Sequence, residues 1–114
     1  MREEIVDELE EFVRRGKLWH AEDLSALIAR LEAESVATDD PLPRTLGNTL
    51  RSLLLRMKLG DVPPRLASEV EGIVYPRLWK VMEAVRDGMP DSEIRIRIEV
   101  FSRRLSRTFA EEPT

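Results

Sequence analysis

A chain of 114 residues, 42% hydrophobic and 35% charged, is long enough to bury a core and too charged to span a bilayer. It contains no cysteine, which excludes disulfides, thiolate metal sites and thiol nucleophiles and fits a reducing compartment. The net charge of −4 is unevenly distributed, because residues 1–43 carry 12 acidic and 5 basic side chains, whereas residues 44–110 carry 13 basic and 8 acidic ones. This asymmetry predicts electrostatic contact with nucleic acid, with an acidic protein or with another copy of the chain.

The length also bears on domain organisation and location. It fits one domain, which we place at residues 1–110, followed by a frayed acidic tail at residues 111–114. The first residues have neither the apolar core of a secretory signal nor the acid-poor composition of a transit peptide. No apolar run approaches the roughly 18 residues of a membrane-spanning helix. We therefore expect a soluble, cytoplasmic protein that does not contact a membrane.

Apolar residues recur at helical spacing almost throughout, and turn residues interrupt the pattern at short intervals, so five helices are predicted. The first, at about residues 2–15, ends at Gly16 and is strongly acidic on its outer face. The second, at about residues 20–36, begins at His20. The apolar stripes are Ile5, Leu9, Phe12 and Val13 in the first helix and Leu24, Leu27, Ile28 and Leu31 in the second.

A proline-containing loop at residues 38–43 separates the second helix from the third. Two prolines interrupt helical hydrogen bonding and restrict the residues before them, so no helix continues through this segment. The third helix is predicted at about residues 44–59 and stops at Gly60. Its buried stripe consists of Leu46, Leu50, Leu53, Leu54 and Met57.

The fourth predicted helix, at about residues 62–86, contains Pro76 in its interior. The proline ring clashes with the carbonyl group four residues earlier, at Gly72, and therefore predicts a kink. One apolar stripe turns at the proline, and a second apolar row lies on the other side of the helix. That row consists of Tyr75, Trp79 and Met82. A helix with two apolar sides is either central and buried or part of an interface; we expect it to be central.

The fifth predicted helix, at about residues 91–109, includes a segment with a conflicting pattern. Residues 94–101 alternate between apolar and polar, which is typical of a strand. The same segment also fits one helical face, formed by Ile94, Ile98, Phe101, Leu105 and Phe109. We predict a helix, because a single strand without a partner would leave its backbone groups unpaired. Ile96 and Val100 then lie off the main stripe.

A weak internal duplication relates the third helix to the fifth. Its positions are Leu46, Leu50, Leu53 and Met57, which recur 48 residues later as Ile94, Ile98, Phe101 and Leu105. This pattern indicates two related helical hairpins and resembles the hairpin units of HEAT-type repeats in general architecture, although any antiparallel bundle gives the same spacing. The predicted fold is all-α, a single-domain bundle of about five antiparallel helices with a kinked fourth helix.

Groups able to perform catalysis are few. His20 is the only histidine and lies at a helix start, where capping or exposure explains it better than general base catalysis. Acidic pairs such as Glu3 and Asp7 have the spacing of carboxylate metal ligands, but no Glu-x-x-His pair accompanies them. The five glycines form no phosphate-binding loop. We therefore predict no enzymatic activity, no metal, no cofactor and no small-molecule substrate.

The fifth helix carries a basic face on the side opposite its apolar stripe. Its residues are Arg97, Arg103, Arg104 and Arg107. Such a face can hold phosphate groups without reading base sequence, so nucleic-acid binding is one candidate function. The sequence pI of about 5.1 and the few aromatic residues argue against a dedicated nucleic-acid binder. An ordinary solvated or internally paired face is the preferred explanation of these arginines.

Protein interaction requires fewer assumptions. Leu55 points away from the buried stripe of the third helix, and the candidate interface adds the second apolar row of the fourth helix, Tyr75, Trp79 and Met82. Aromatic residues and methionine are typical of interface centres, although burial within the chain also explains that row. We predict a non-catalytic interaction module that self-associates or binds a protein partner. In one version, the acidic first helix of one copy contacts the basic face of another; alternatively, the first helix lies across that face within one molecule.

Overall fold

The computed structural model describes residues 1–110, which form five α-helices. These are α1 (Glu3–Arg15), α2 (Ala21–Thr38), α3 (Leu42–Lys58), α4 (Ala67–Arg86) and α5 (Asp91–Ala110), with one 3₁₀ turn at Pro64–Leu66. No strand occurs within residues 1–110. The predicted all-α class and number of helices are thus confirmed. The predicted tail at residues 111–114 lies outside the described residues.

The helix ends follow local chemistry. Gly16 ends α1 in the left-handed conformation, with φ of 61°, which glycine adopts without a steric penalty. His20 occupies the position before α2, but its side chain makes no capping hydrogen bond. α3 begins two residues earlier than predicted, because Pro43 is tolerated in a first helical turn. The carboxylate of Asp40 supports this start by accepting a 3.0 Å hydrogen bond from the backbone N–H of Leu42.

The two ambiguous segments are both helical. α4 continues through Pro76. The bend in the helix axis that the sequence predicts at this proline stays a prediction. Its start is later than predicted, because residues 64–66 form a separate 3₁₀ turn. Residues 94–101 lie entirely within α5, which confirms the helical interpretation over the strand. As expected for a helix, Ile96 lies off the buried stripe, and 52% of its surface is exposed.

The five helices form a closed ring in which each packs against two others. Within residues 1–110, the order around the ring is α1, α2, α3, α5, α4 and back to α1. The hairpins α2–α3 and α4–α5 are held by short connections, and α1 joins them on one side. We expected the fourth helix to be central, and this is wrong, because α4 has two neighbours like every other helix. Its two apolar sides are explained by packing against α1 on one side and α5 on the other.

Successive contacts between α2 and α3 join residues whose numbers fall along α2 and rise along α3. The hydroxyl of Ser35 accepts a 2.7 Å hydrogen bond from the backbone N–H of Arg44, near the connection. Farther along, Glu32 on α2 pairs with Arg51 on α3. At the open end, Ser25 lies beside Lys58. The two helices are therefore antiparallel, as predicted.

The buried apolar side chains form one core lined by all five helices. The predicted stripes of α2 and α5 are entirely buried, whereas Val13 of α1 and Met57 of α3 are only partly buried. Leu18, in the connection between α1 and α2, is fully buried although it lies outside any predicted stripe. Both members of the first three pairs of the duplication are buried: Leu46 and Ile94, Leu50 and Ile98, Leu53 and Phe101.

Candidate protein-interaction site

The acidic face of α1 is paired largely within the molecule. Arg86, in the last turn of α4, lies against three carboxylates of α1: its Nη1 is 2.7 Å from Glu10 Oε1, its Nη2 is 3.2 Å from Asp7 Oδ1, and its Nε is 3.9 Å from Glu3 Oε1. Hydrogen bonding from Arg86 holds the pKa of Glu10 below its usual value, against the opposing effect of burial. Much of the negative charge of α1 is therefore used to attach it to α4.

Two further α1 carboxylates, those of Glu8 and Glu11, pair with other basic residues. Glu8 accepts hydrogen bonds of 3.0 Å from Nε of Arg30 on α2, and Glu11 pairs with Arg15 one turn away. α1 makes no contact with α5 within the described part of the chain. The expectation that the first helix lies across the basic face is therefore wrong, since α1 is placed between α2 and α4 by its apolar stripe.

The basic face of α5 divides into one bound arginine and three exposed ones. Arg97 is held internally, because its Nη1 donates a 2.7 Å hydrogen bond to the Lys80 carbonyl and its Nε lies 3.6 Å from Glu93. The exposed arginines are Arg103, Arg104 and Arg107. No carboxylate in residues 1–110 forms an ion pair with any of these three. The basic face is thus smaller than predicted and belongs to the C-terminal half of α5.

The predicted apolar row on α4 is not one exposed surface. Met82 is only 1% exposed and belongs to the core, whereas Tyr75 and Trp79 are half-buried against it. The Tyr75 hydroxyl accepts a 3.1 Å hydrogen bond from the backbone N–H of Leu18, and burial raises the pKa of this tyrosine. This row serves mainly to pack α4 against its neighbours.

A polar contact beside this row fastens the α1–α2 connection to α4. The indole N–H of Trp19 donates a 2.5 Å hydrogen bond to the carboxylate of Glu71. Glu71 lies one helical turn before Tyr75, so the two α4 side chains contact neighbouring residues of the connection. Sequence reasoning missed this pairing, because a hydrogen bond across 52 residues leaves no periodic signal.

The outer face of the α2–α3 hairpin combines exposed leucines with shallow hollows. Leu55 is 55% exposed, and Leu59, the residue immediately after α3, is 79% exposed. Leu55 borders a hollow of about 290 Å³, and a second hollow of about 430 Å³ shares Ser25, Ala29 and Lys58 with the first. Small residues of α2 form much of their lining, namely Ala21, Ser25, Ala26 and Ala29. We call this surface the α2–α3 face.

Opposite charges lie side by side on the α2–α3 face. α3 contains four basic residues and no acidic one, whereas α2 contains four acidic residues and one arginine. Glu32 and Arg51 form an ion pair at one side of the hollows. At the other side, Glu22 of α2 and Lys58 of α3 line the same hollow without an ion pair between them. The face is therefore apolar at its centre and charged at its edges, with acidic groups on α2 and basic groups on α3.

The signal for this face is present in the sequence, although only Leu55 was recognised. Ser25, Ala26, Ala29 and Ala33 recur at helical spacing on the side of α2 opposite its leucine stripe. Alanine and serine are only weakly hydrophobic or polar, so their spacing on α2 is typical of an ordinary solvent-facing side of a helix. The exposed leucines of α3 and the hollows of α2 come together only when the hairpin closes.

Catalytic, metal-binding and membrane-spanning features are the other kinds of functional site considered for a helical protein. His20 is exposed, and its Nδ1 lies 3.9 Å from the carboxylate of Asp23. No group of three or more histidine, aspartate or glutamate side chains placed to hold a metal ion occurs among residues 1–110. Over the same residues, none of the helices has both the length and the apolar character needed to cross a membrane.

Comparison with known proteins adds no family. No protein-family model, no curated protein and no solved structure matches this chain.

Proposed function

We propose that this chain is a non-catalytic protein-interaction module and that the α2–α3 face is its contact surface. One observation carries the proposal: Leu55 stands exposed on α3 beside a hollow that Ser25 and Ala29 of α2 also line, and a second hollow lined by small residues of α2 adjoins it. Apolar side chains next to an unfilled hollow lose contact with water when a partner helix packs against them.

The charged edges suit the same role. Interfaces place apolar groups at the centre and polar groups at the rim, and rim charges fix the orientation of the partner. On the α2–α3 face, Glu22 and Lys58 stand at the rim around the leucine and alanine centre. We assign this interaction to the cytoplasm, because a chain without cysteine needs no oxidising compartment.

Site-specific photo-crosslinking in cells tests this proposal. A photoreactive phenylalanine analogue at position 55 should capture a defined protein, identified by mass spectrometry of the adduct. The matched control carries the analogue at Arg95, which is exposed on α5 and away from this face. Adduct formation at position 55 should disappear when Ala29→Arg fills the hollow with a large charged side chain. Equal adduct yields at positions 55 and 95 would reject the proposal.

Polyanion binding is a second candidate, favoured by one observation. Arg103, Arg104 and Arg107 lie exposed together on α5 without a carboxylate partner in residues 1–110. Guanidinium groups in this arrangement suit phosphates, as in nucleic-acid binding. Arg97 is not expected to contribute, because the Lys80 carbonyl already binds it.

A gel-retardation assay with single- and double-stranded DNA and RNA distinguishes this candidate. Binding that falls steeply with salt and is lost in Arg103→Glu/Arg107→Glu would support it. The control, Arg95→Glu, reverses one charge elsewhere on α5 and is compared with Arg103→Glu alone, which changes the net charge by the same amount. Absence of binding at low salt rejects polyanion binding and leaves the α2–α3 face as the proposed site.

The head-to-tail arrangement, in which α1 of one copy contacts the basic face of another, has less support. Most carboxylates of α1 already contact Arg86, Arg30 or basic residues of α1 itself. A partner would have to displace these internal ion pairs to use them. The light-scattering mass at low and high salt tests this arrangement, since a salt-sensitive oligomer is its expected signature.

A further inference from the structure

The α2–α3 face carries both halves of a contact with itself. Leu55 projects from α3, and next to the hollow that it borders lies a second hollow, formed by α2 residues and by Lys58, that could receive such a side chain. Leu55 borders the same hollow as Ser25 and Ala29, so projection and hollow stand at the same height along the hairpin. A second copy, turned to face the first, can therefore place its Leu55 over the small residues of α2 while receiving the leucine of the first copy in return.

Charge selects how the two copies face one another. A two-fold axis parallel to the hairpin places α2 of one copy over α3 of the other. The acidic helix then meets the basic one, with Glu22 of each copy opposite Lys58 of the other. A two-fold axis across the hairpin would instead stack α2 on α2 and α3 on α3, which brings like charges together.

We propose that the partner bound by the α2–α3 face is a second copy of this chain, related by a two-fold axis parallel to α2 and α3. This inference rests on the proposed function and specifies its partner. Each contact occurs twice, because residue i of one copy meets residue j of the other and the reverse. Such an interface is closed, so association stops at a dimer.

The absence of cysteine makes the orientation directly testable by disulfide trapping. Two single variants, Leu55→Cys and Ala29→Cys, are prepared separately and then mixed under mild oxidation. The proposed axis predicts a covalent dimer chiefly in the mixture, because position 55 of one copy faces position 29 of the other. Covalent dimers that form chiefly in either variant alone would overturn this orientation.

A charge exchange provides an independent readout in solution. In sedimentation equilibrium, Glu22→Lys or Lys58→Glu alone should raise the dimer dissociation constant by about tenfold or more, since each removes two symmetric contacts. The double variant Glu22→Lys/Lys58→Glu should return to within about threefold of the wild-type value, because the pair is restored with reversed sign. The control variant, Arg95→Glu, should leave the constant unchanged. Failure of the double variant to recover would overturn the proposed pairing.

Failure of this inference can be separated from failure of the proposed function. A chain that stays monomeric at all concentrations, yet still yields adducts of another protein from position 55, rejects the second copy and retains the interaction module. A dimer that persists in Ala29→Arg also rejects the inference, because its contact must then lie on another face. Circular dichroism verifies that each variant keeps its helical content.

Discussion

Arg2 and Glu34, 32 residues apart, are joined by three hydrogen bonds. The backbone N–H of Arg2 donates to Glu34 Oε2 over 2.8 Å, and its Nε and Nη2 donate to Oε1 over 3.0 and 2.8 Å. The carboxylate end of this pair is buried, since Glu34 is only 1% exposed. The pair fastens the start of α1 to the last turns of α2.

Stability should depend on pH through this pair. The side-chain hydrogen bonds from Arg2 hold the pKa of Glu34 below its ordinary value, against the effect of burial. A carboxyl group with a lowered folded pKa contributes stability that is fully present above its unfolded pKa of about 4.3. That contribution is lost as pH falls through the lower folded pKa. Glu34→Gln should therefore be less stable than wild type at neutral pH, with a difference that narrows below about pH 5.

Thermal melting followed by circular dichroism from neutral to acid pH measures this difference. The matched control is Glu99→Gln, which changes an exposed carboxylate of α5. It should leave the melting temperature close to that of wild type over the whole range. A constant gap between wild type and Glu34→Gln across this range would contradict the assigned role.

Tyr75 should titrate above the usual range of tyrosine. Burial raises its pKa, and it is the only tyrosine of the chain, so phenolate absorbance reports this side chain alone. The folded protein should titrate above about pH 10, and the protein unfolded in guanidinium should titrate near that value. Because the folded pKa is the higher one, the stability contribution is complete below the unfolded pKa and is lost as pH rises through the folded pKa. If the folded and unfolded proteins gave the same titration curve, the Tyr75 hydroxyl would be solvent-exposed and not buried.

Removing the Tyr75 hydroxyl tests its hydrogen bond separately. Tyr75→Phe leaves the backbone N–H of Leu18 without its acceptor and should lower the free energy of unfolding by about 1–3 kcal/mol. Urea unfolding measures this loss. An unchanged midpoint would show that water replaces the hydroxyl as acceptor.

The same substitution should have opposite effects at two glycines. Gly72 lies inside α4 with open space around its Cα, so Gly72→Ala should stabilise the protein by about 0.5–1 kcal/mol. Gly16 has φ of 61°, which alanine adopts only with strain, so Gly16→Ala should destabilise by about 1–2 kcal/mol. Urea unfolding of both variants measures the difference. Effects of equal sign would mean that backbone conformation does not decide them.

Two leucines on opposite sides of α3 should differ strongly in their importance for folding. Leu50 is fully buried, so Leu50→Ala should lower the free energy of unfolding by about 2–5 kcal/mol. Leu55 is exposed, so Leu55→Ala should change it by no more than about 0.5 kcal/mol when measured at low protein concentration. The comparison uses one helix and one substitution. A large loss at Leu55 in the dilute monomer would place this side chain in the core.

Periodicity predicted the parts of the fold that depend on one helix at a time. Every apolar residue predicted for the stripes of α2 and α5 is buried, because a helix with a single buried side repeats its pattern over several turns. Residues 94–101 fit both a strand and a helix. The helix was predicted because it satisfies its backbone hydrogen bonds within the segment, whereas a strand needs a second strand to pair with. The predicted boundaries lie within about two residues of the observed ones, except at the start of α4, which is later because Pro64–Leu66 form a separate 3₁₀ turn.

Features that depend on how helices meet were harder to predict. Met82 was named in a candidate interface row that burial within the chain also explained, and the structure buries it. Glu34 continues the stripe of Leu27 and Leu31, but its burial was not predicted, because its partner Arg2 is distant in sequence. Arg97 shares a side of α5 with the free arginines, yet the nearby Lys80 carbonyl binds it. Each case depends on a neighbour that is distant in sequence.

The closed ring also has consequences for how the chain folds and opens. Each hairpin closes over a connection of a few residues, whereas the α1–α4 contact joins residues far apart in sequence, such as Asp7 and Arg86, which are separated by 79 positions. Closing a longer loop costs more chain entropy, although the cost rises slowly with length. The α2–α3 and α4–α5 hairpins should therefore form early, with α1 docking last. In native-state hydrogen exchange, the opening free energy measured for the amides of α1 should accordingly be lower than that measured for the amides of the two hairpins.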